Sequence, residues 1–382
     1  MSVLTSISAI RLLRKYLRML SAMALLFTMG LAQADILIGQ TTGVSGAVAA
    51  SVKETIDGAQ LYLDSVNKKG GIRGEKIKLI TLDDKFEPKL AAENARKLIV
   101  EENVVALFLS RGTPHTEAIL PLLTEHSLAM VAPSTGAMLL HDPVNPYVFN
   151  VRPTYQREAE KAILHLNVLG MSRIAVVHVD DSFGRDCLTG ANKGFALTKL
   201  QAVSVQKVDR AKPDYAAIIP QIMESKAQAV LWIGSGTAVA DGIKALRLAG
   251  SAAQVVTLSN NASSGFIKQL GAFSRGVIVT QVFPNERAIA IGFVGELKRL
   301  ATAAGMAEIS PAMMEGFAAA KVLVEGLRRV GGKVTRSNLV AALENIKKYD
   351  LGGLQLGYSP NDHTGLEFSE MSIIGSDGKF KR

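Results

Sequence analysis

Two short hydroxyl-bearing turns hold the residues best suited to chemistry in this sequence. The apolar run 104–109 stops at Ser110-Arg111-Gly112-Thr113-Pro114, and a second run, 128–132, stops at Pro133-Ser134-Thr135-Gly136. Each half reads as a buried strand entering a hydroxyl-rich turn at the start of a helix. Pro114 suits a first helical turn, with Thr113 ahead of it as N-cap. Free helix N–H groups beside hydroxyls suit a carboxylate or another small acceptor-rich group. The plainer alternative is that Thr113 and Ser134 only cap helices.

Catalytic constellations are harder to assemble. Histidines 115, 126, 141, 165, 178 and 363 show no metal-ligand spacing, and the sole cysteine, Cys187, has no companions for a metal or a disulfide. Gly234-Ser235-Gly236 follows an apolar run as half a dinucleotide fingerprint, but Val239 holds the third glycine position. No nucleophile elbow or phosphate-binding loop is present. Asp83-Asp84 and Asp180-Asp181 sit at strand ends without ligand-spaced partners, and read as solvated turn carboxylates rather than a metal site. Neither a cofactor nor a metal is therefore expected.

The elements that must position the two turns alternate strand and helix. A strand at 36–40, a helix at 52–67, a strand at 77–82 and a helix from Pro88 precede them. Two neighbouring parallel strands would bring both turns to their carboxyl ends, where open α/β sheets bind ligands. The extended piece 147–153 then reads as a crossing, and a second series of strands and helices runs from 156 to 280. Val282-Phe283-Pro284 reads as another crossing, followed by three helices at about 288–304, 311–330 and 335–346. Short strands at 351–358 and 368–374 close the chain. The expected fold is α/β, two Rossmann-like lobes with parallel doubly wound sheets. Phe183 suits either a core or a cleft lid, Tyr155 a hinge or the cleft, and Trp232 the core.

The totals support export of a globular protein. The chain has 382 residues, 48% of them hydrophobic, enough for a sizeable core and two domains. Residues 1–34 read as a secretory signal: Arg11, Arg14, Lys15 and Arg18, an apolar stretch 19–31, then Ala32-Gln33-Ala34. Cleavage between Ala34 and Asp35 removes four cations and no anion, so the formal charge of +9 becomes +5. No basic patch interleaved with aromatics remains, so no nucleic-acid partner is expected.

The ordered series Lys68-Lys69-Gly70-Gly71-Ile72-Arg73-Gly74, Asp83-Asp84, Pro88, Gly112-Thr113, Pro133-Ser134-Thr135-Gly136, Arg173-Ile174-Ala175-Val176-Val177, Phe183-Gly184 and Leu351-Gly352-Gly353…His363-Thr364-Gly365 resembles the leucine/isoleucine/valine-binding family. These are type 1 periplasmic binding proteins that serve ABC importers, and the likeness covers 35–382. It implies two lobes joined by a three-segment hinge, at about 151–153, 281–284 and 350–356. The implied lobes are 35–152 with 283–352, and 153–282 with 353–382. It also implies a hinge that closes over a ligand clamped in the cleft.

By the same resemblance, the family's hydroxyl in the first turn falls on Thr113 and its backbone carbonyl in the second on Ser134. Its next hydroxyl falls on Gly136, which has none, and its closing aromatic on Phe183. The carboxylate that faces the ligand ammonium falls on the neutral Asn260. Phe86 and Gly112 stand near the places of a disulfide found in some members. Thr135, Ser235, Tyr155 and Ser51 are further candidate lining. The resemblance thus implies a monomeric periplasmic solute-binding protein with a membrane permease as partner, and no enzyme. A ligand-sensing receptor domain for a signalling partner is the first alternative, and an α/β enzyme on the same fold the second. With no acid to answer an ammonium, a small carboxylate or amide, aromatic acids included, is expected ahead of free leucine, isoleucine or valine.

Overall fold

The computed structural model describes residues 35–382, so the expected signal segment and its cleavage point lie outside the described residues. The first sheet is built from β1 (Ile36–Thr42), β2 (Ile77–Asp83), β3 (Ala106–Phe108), β4 (Ala129–Val131) and β5 (Val148–Phe149). Their order is β2-β1-β3-β4-β5, and every pairing is parallel. Helices α1 (Ala49–Lys68), α2 (Pro88–Val100) and α3 (Thr113–His126) supply its crossovers. Leu107, Met130 and Val148 pack with Leu98, Ile119 and Leu123 on one face, while Phe108, Val131 and Phe149 enter the larger core on the other. Burial on both faces is why these strands appear as unbroken apolar runs.

The second sheet repeats the scheme with β6 (Ile174–Val179), β7 (Ser204–Val208), β8 (Ala229–Ile233), β9 (Gln254–Thr257) and β10 (Ile278–Gln281). Around it lie α4 (Tyr155–Val168), α5 (Ser182–Thr198), α6 (Tyr215–Glu224), α7 (Gly236–Leu248) and α8 (Ser264–Leu270). Trp232 is in this core, its ring set against Gly242, where an added Cβ would lie 2.1 Å away. The chain then returns to the first lobe as α9 (Gly292–Ala303), α10 (Pro311–Arg329), α11 (Arg336–Glu344) and the small hairpin of β11 (Tyr349–Asp350) and β12 (Gln355–Leu356). Two final strands, β13 (Glu370–Ile374) and β14 (Phe380–Lys381), extend the second sheet antiparallel, giving the order β14-β13-β10-β9-β8-β6-β7.

Four expectations need correction. The piece 147–153 is a crossing only at its end, because β5 is the fifth strand of the first sheet, hidden in the sequence by its brevity and flanking prolines. The turn after β4 opens no α-helix; only the 3-10 turn Met138–Leu140 follows. The second sheet is parallel but for its last two strands. The third crossing lies later than 350–356: Leu356, Tyr358 and Leu366 are buried in the first lobe's core, and the chain joins the second sheet at Glu370. Apolar spacing could not assign that segment, which is mostly polar.

One helix pair holds the first lobe together at very short range. A Cβ added at Gly58 of α1 would lie 1.9 Å from Met313 O, and one at Gly316 of α10 would lie 1.8 Å from Thr55 O. Glycine at both places lets the two backbones touch, which no other residue permits without moving a helix.

Candidate functional site

Both turns lie at the carboxyl ends of the adjacent parallel strands β3 and β4. Arg111 and Ser134 continue that ladder as an isolated parallel bridge, so the turns leave the sheet side by side. Gly112, not Thr113, is the N-cap of α3, at φ 102°, a conformation that favours glycine. Thr113 becomes the first helical residue instead. Its Oγ1 lies 2.7 Å from Thr135 Oγ1, so Thr135 braces the first turn from beneath. Ser134 Oγ donates to Glu315 Oε1 at 2.8 Å.

The second lobe faces these turns with Phe183, Arg210, Ser235 and Asn260. Together with Phe86, Arg111, Gly112, Thr113, Ser134 and Tyr155 they line a narrow slot between the lobes. The lobes touch across it: Arg111 Nη2 donates to the backbone oxygen of Asn260 at 2.6 Å. Three larger grooves open at the protein's outer surface, two of them among charged side chains and the third over Val44, Ala49, Ala50, Lys53 and Ile56. They lack the convergence of groups from strand ends that marks an α/β binding site.

Of the expected lining, Thr113, Ser134, Tyr155, Phe183, Ser235 and Asn260 are brought together around the slot. Thr135, Gly136 and Ser51 are not. Gly136 packs against the first crossing, its oxygen accepting from Tyr155 N at 2.7 Å. A Cβ there would sit 2.3 Å from Pro153 O, which excludes any residue bearing a hydroxyl. Ser51 is turned into α1, donating to Val48 O at 3.0 Å.

The floor of the slot is a buried ionic network that the sequence did not disclose. Arg152, on the first crossing and 1% exposed, pairs with Glu158, donates to Ser259 Oγ at 2.7 Å and to Tyr155 OH at 3.2 Å, and has Glu315 at 3.8 Å. Glu158 also accepts from Ser259 N at 3.0 Å and from Thr280 Oγ1. First lobe, crossing and second lobe thus meet in one set of charge-assisted bonds. Burial raises the Tyr155 hydroxyl to about 12, against the lowering pull of Arg152 and Arg111, so it stays a neutral donor.

Two further cations face the slot. Arg210 is held by Asp181, its Nε donating to Oδ2 at 2.6 Å, and its guanidinium lies 5.0 Å from the centre of the Phe86 ring and 5.8 Å from that of Phe183. Arg111 is 4% exposed and enters no ion pair among the described residues. Burial lowers its pKa from the usual guanidinium value. Phe86 stacks on His115 at 4.4 Å and is fixed by Asp84, whose Oδ1 accepts from Phe86 N at 2.9 Å. A Cβ on Gly112 would meet the Phe86 ring at 3.1 Å, so the two residues at the places of the family's disulfide are neighbours.

Sequence reasoning missed Arg111, Arg152, Arg210, Glu158, Glu315 and Phe86. Arg111 offered one signal, a lone charge between an apolar strand and a helix start. The Arg210–Asp181 and Ser134–Glu315 pairings join distant residues and left none.

A slot between two Rossmann-like lobes, lined from both and floored by their crossings, defines a two-lobed ligand-binding α/β protein. The chain belongs to the periplasmic binding protein family, whose model matches residues 35–371. Its relatives include the Leu/Ile/Val-binding protein BraC3 of Rhizobium johnstonii, 25% identical over 83% of this chain and 86% of that protein. A substrate-binding periplasmic protein from Ralstonia solanacearum is similar in structure, with a TM-score of 0.84, 29% identity, and coverage of 91% of this chain and 99% of that one. The solute-binding protein of an ABC transporter from R. palustris, in complex with benzoate, shares the fold at a TM-score of 0.81 and 18% identity, covering 91% of this chain and 95% of its own.

Proposed function

We propose that the protein is the extracytoplasmic solute-binding component of an ABC importer. It holds a small carboxylate- or amide-bearing solute between its lobes and hands it to a membrane permease. The observation that carries this reading is the slot itself: donors from the first lobe and aromatic and amide groups from the second converge on one narrow space. One relative is named a Leu/Ile/Val-binding protein, and a structural neighbour is named the solute-binding protein of an ABC transporter. The carboxylates around it, Glu158, Glu315 and Asp181, are engaged in structural bonds, which suits binding rather than turnover.

Export follows from the same reading. The mature chain begins at Asp35 and works in the periplasm as a monomer, with lobe 1 formed by 35–152 and the return segment from 283, and lobe 2 by 153–282 and the C-terminal strands. N-terminal sequencing of periplasmic protein tests this, and Met1 retained on cytoplasmic protein contradicts it. A thermal-shift screen across amino acids, amides, small carboxylates and aromatic acids tests the function, with mass spectrometry of each hit. A hit returned unchanged that also compacts the protein in small-angle scattering supports a binder. Chemical conversion of the hit, or no compaction, overturns it.

A further inference from the structure

Three guanidiniums and three carboxylates surround the slot, but they are shared unevenly. Glu158 and Glu315 both lie on Arg152, and Asp181 lies on Arg210. Arg111 has none within ion-pair distance, Glu315 acting on it only from further away, and its one side-chain hydrogen bond goes to a neutral carbonyl, Asn260 O. A buried guanidinium in that position is strongly unfavourable until an anion reaches it. The Thr113 and Ser134 hydroxyls, already bonded to Thr135 and Glu315, add only neutral capacity.

The same Asn260 supplies the second half of the argument. Its Nδ2 donates to Gly234 O at 2.9 Å and to Ser235 Oγ at 3.0 Å. Gly234 O can only accept, so the orientation of the amide is fixed. Asn260 Oδ1 is left buried with no protein partner. The slot therefore offers an unpaired cation and an unpaired neutral acceptor, touching through one residue.

We propose that the solute is a small hydroxycarboxylate, its carboxylate paired with Arg111 and its hydroxyl donating to Asn260 Oδ1. The proposal rests on the reading of the slot as the solute site. An amino acid would present an ammonium to the same acceptor, with the Arg111 charge beside it. The carboxylates that could answer it are engaged: Glu315 accepts from Ser134 and faces Arg152, and Asp181 holds Arg210 and accepts from Gly184 N at the start of α5. A hydroxyl asks only for the neutral acceptor that is there. Phe86 and Phe183 line the remainder of the slot and suit a compact apolar group.

Matched pairs test this directly. Lactate and alanine, 2-hydroxy-4-methylpentanoate and leucine, phenyllactate and phenylalanine, and mandelate and phenylglycine differ only in hydroxyl against ammonium. Thermal shift and calorimetry on the mature protein should show the hydroxy member of at least one pair binding about tenfold or more tightly than its amino counterpart and its own amide, as expected where one partner leaves a buried group unsatisfied. Arg111→Gln should abolish the preference for acid over amide, and Arg111→Lys should restore part of it. Asn260→Asp should move the preference toward the amino member. Circular dichroism establishes that each variant is folded. Equal or tighter binding of the amino members, or unchanged hydroxy-acid binding in both Arg111 variants, overturns the proposal. So does a panel in which no member binds. In that last case the solute-binding reading stands if another solute compacts the wild-type protein, and falls if none does.

Discussion

His115 shows how a single buried side chain can set the protein's response to pH. It is fully buried against Phe86 with neither ring nitrogen bonded, and burial holds its pKa down at about 4. His141 is held at about 4 by burial and then by the Arg152 charge. In the unfolded chain both take up a proton near pH 6.5, so their stabilising contribution is complete above that value and is lost as pH falls toward 4. Asp84 works in the opposite sense: burial raises it to about 6, so the folded state gains relative stability as pH falls from 6 toward 3.8. Burial raises the carboxyls of Asp186 and Glu286 in the same sense as Asp84, so the individual contributions are read from variants. Relative to wild type, acidification from pH 6.5 to 4 should lower the melting temperature less in His115→Asn and more in Asp84→Asn. An unchanged pH dependence in both variants contradicts the assignment. Arg152 makes the other prediction at this scale. Arg152→Met leaves Glu158 and Glu315 buried without their cation, and should cost about 3–5 kcal/mol in denaturant unfolding. A change within error would mean that water enters the floor of the slot.

Among the elements, α1 and α10 matter most to the first lobe. Their backbones touch at Gly58 and Gly316, and the pair covers the face of the sheet that carries Phe108, Val131 and Phe149. Gly316→Ala would drive a methyl group to 1.8 Å from Thr55 O, so one helix must shift. The expected cost is about 1–3 kcal/mol or more, outweighing the small propensity gain of alanine. Equilibrium unfolding checks it. Because Glu315 adjoins Gly316 and holds Ser134, the variant should also weaken solute binding, a coupling that a surface helix would not show.

At the scale of the whole molecule, hinge closure is the expected response to a solute, with the crossings absorbing the backbone change and contacts from both lobes favouring the closed form. Arg111 to Asn260 O, and the Arg152 bonds to Ser259, join the lobes beside the slot. A bound solute should add to those bridges and stabilise the fold by mass action, about 2.7 kcal/mol at a hundredfold excess over the dissociation constant. Scattering should show compaction at the same solute concentrations that raise the melting temperature. Stabilisation without compaction would place binding outside the cleft.

Much of this architecture was legible in the chain. Apolar runs located β1 at Ile36–Thr42 and β4 at Ala129–Val131, and the helix read at 52–67 is α1 at Ala49–Lys68, because buried strands and amphipathic helices write their periodicity into the residues themselves. Two hydroxyl-bearing turns at the ends of successive strands pointed to the place of the slot, since parallel neighbours must end together. Proximity was not legible where it depends on packing. β5 is two residues long and carries no period, and the 357–366 segment is mostly polar, with Tyr358 and Leu366 too few to set one. Gly136 read as a lost hydroxyl, yet Pro153 O forbids a side chain there. Arg111, Arg210 and the Arg152 network come from widely separated elements, and no local rule says which charge will meet which. The sequence by itself determined most of the elements, their order and the end of the sheet where a solute would sit, because local sterics and hydrophobic burial act along the chain. Only the tertiary structure decided which charges are paired and which one, Arg111, is left facing the slot, because electrostatic compensation is settled by distance in space.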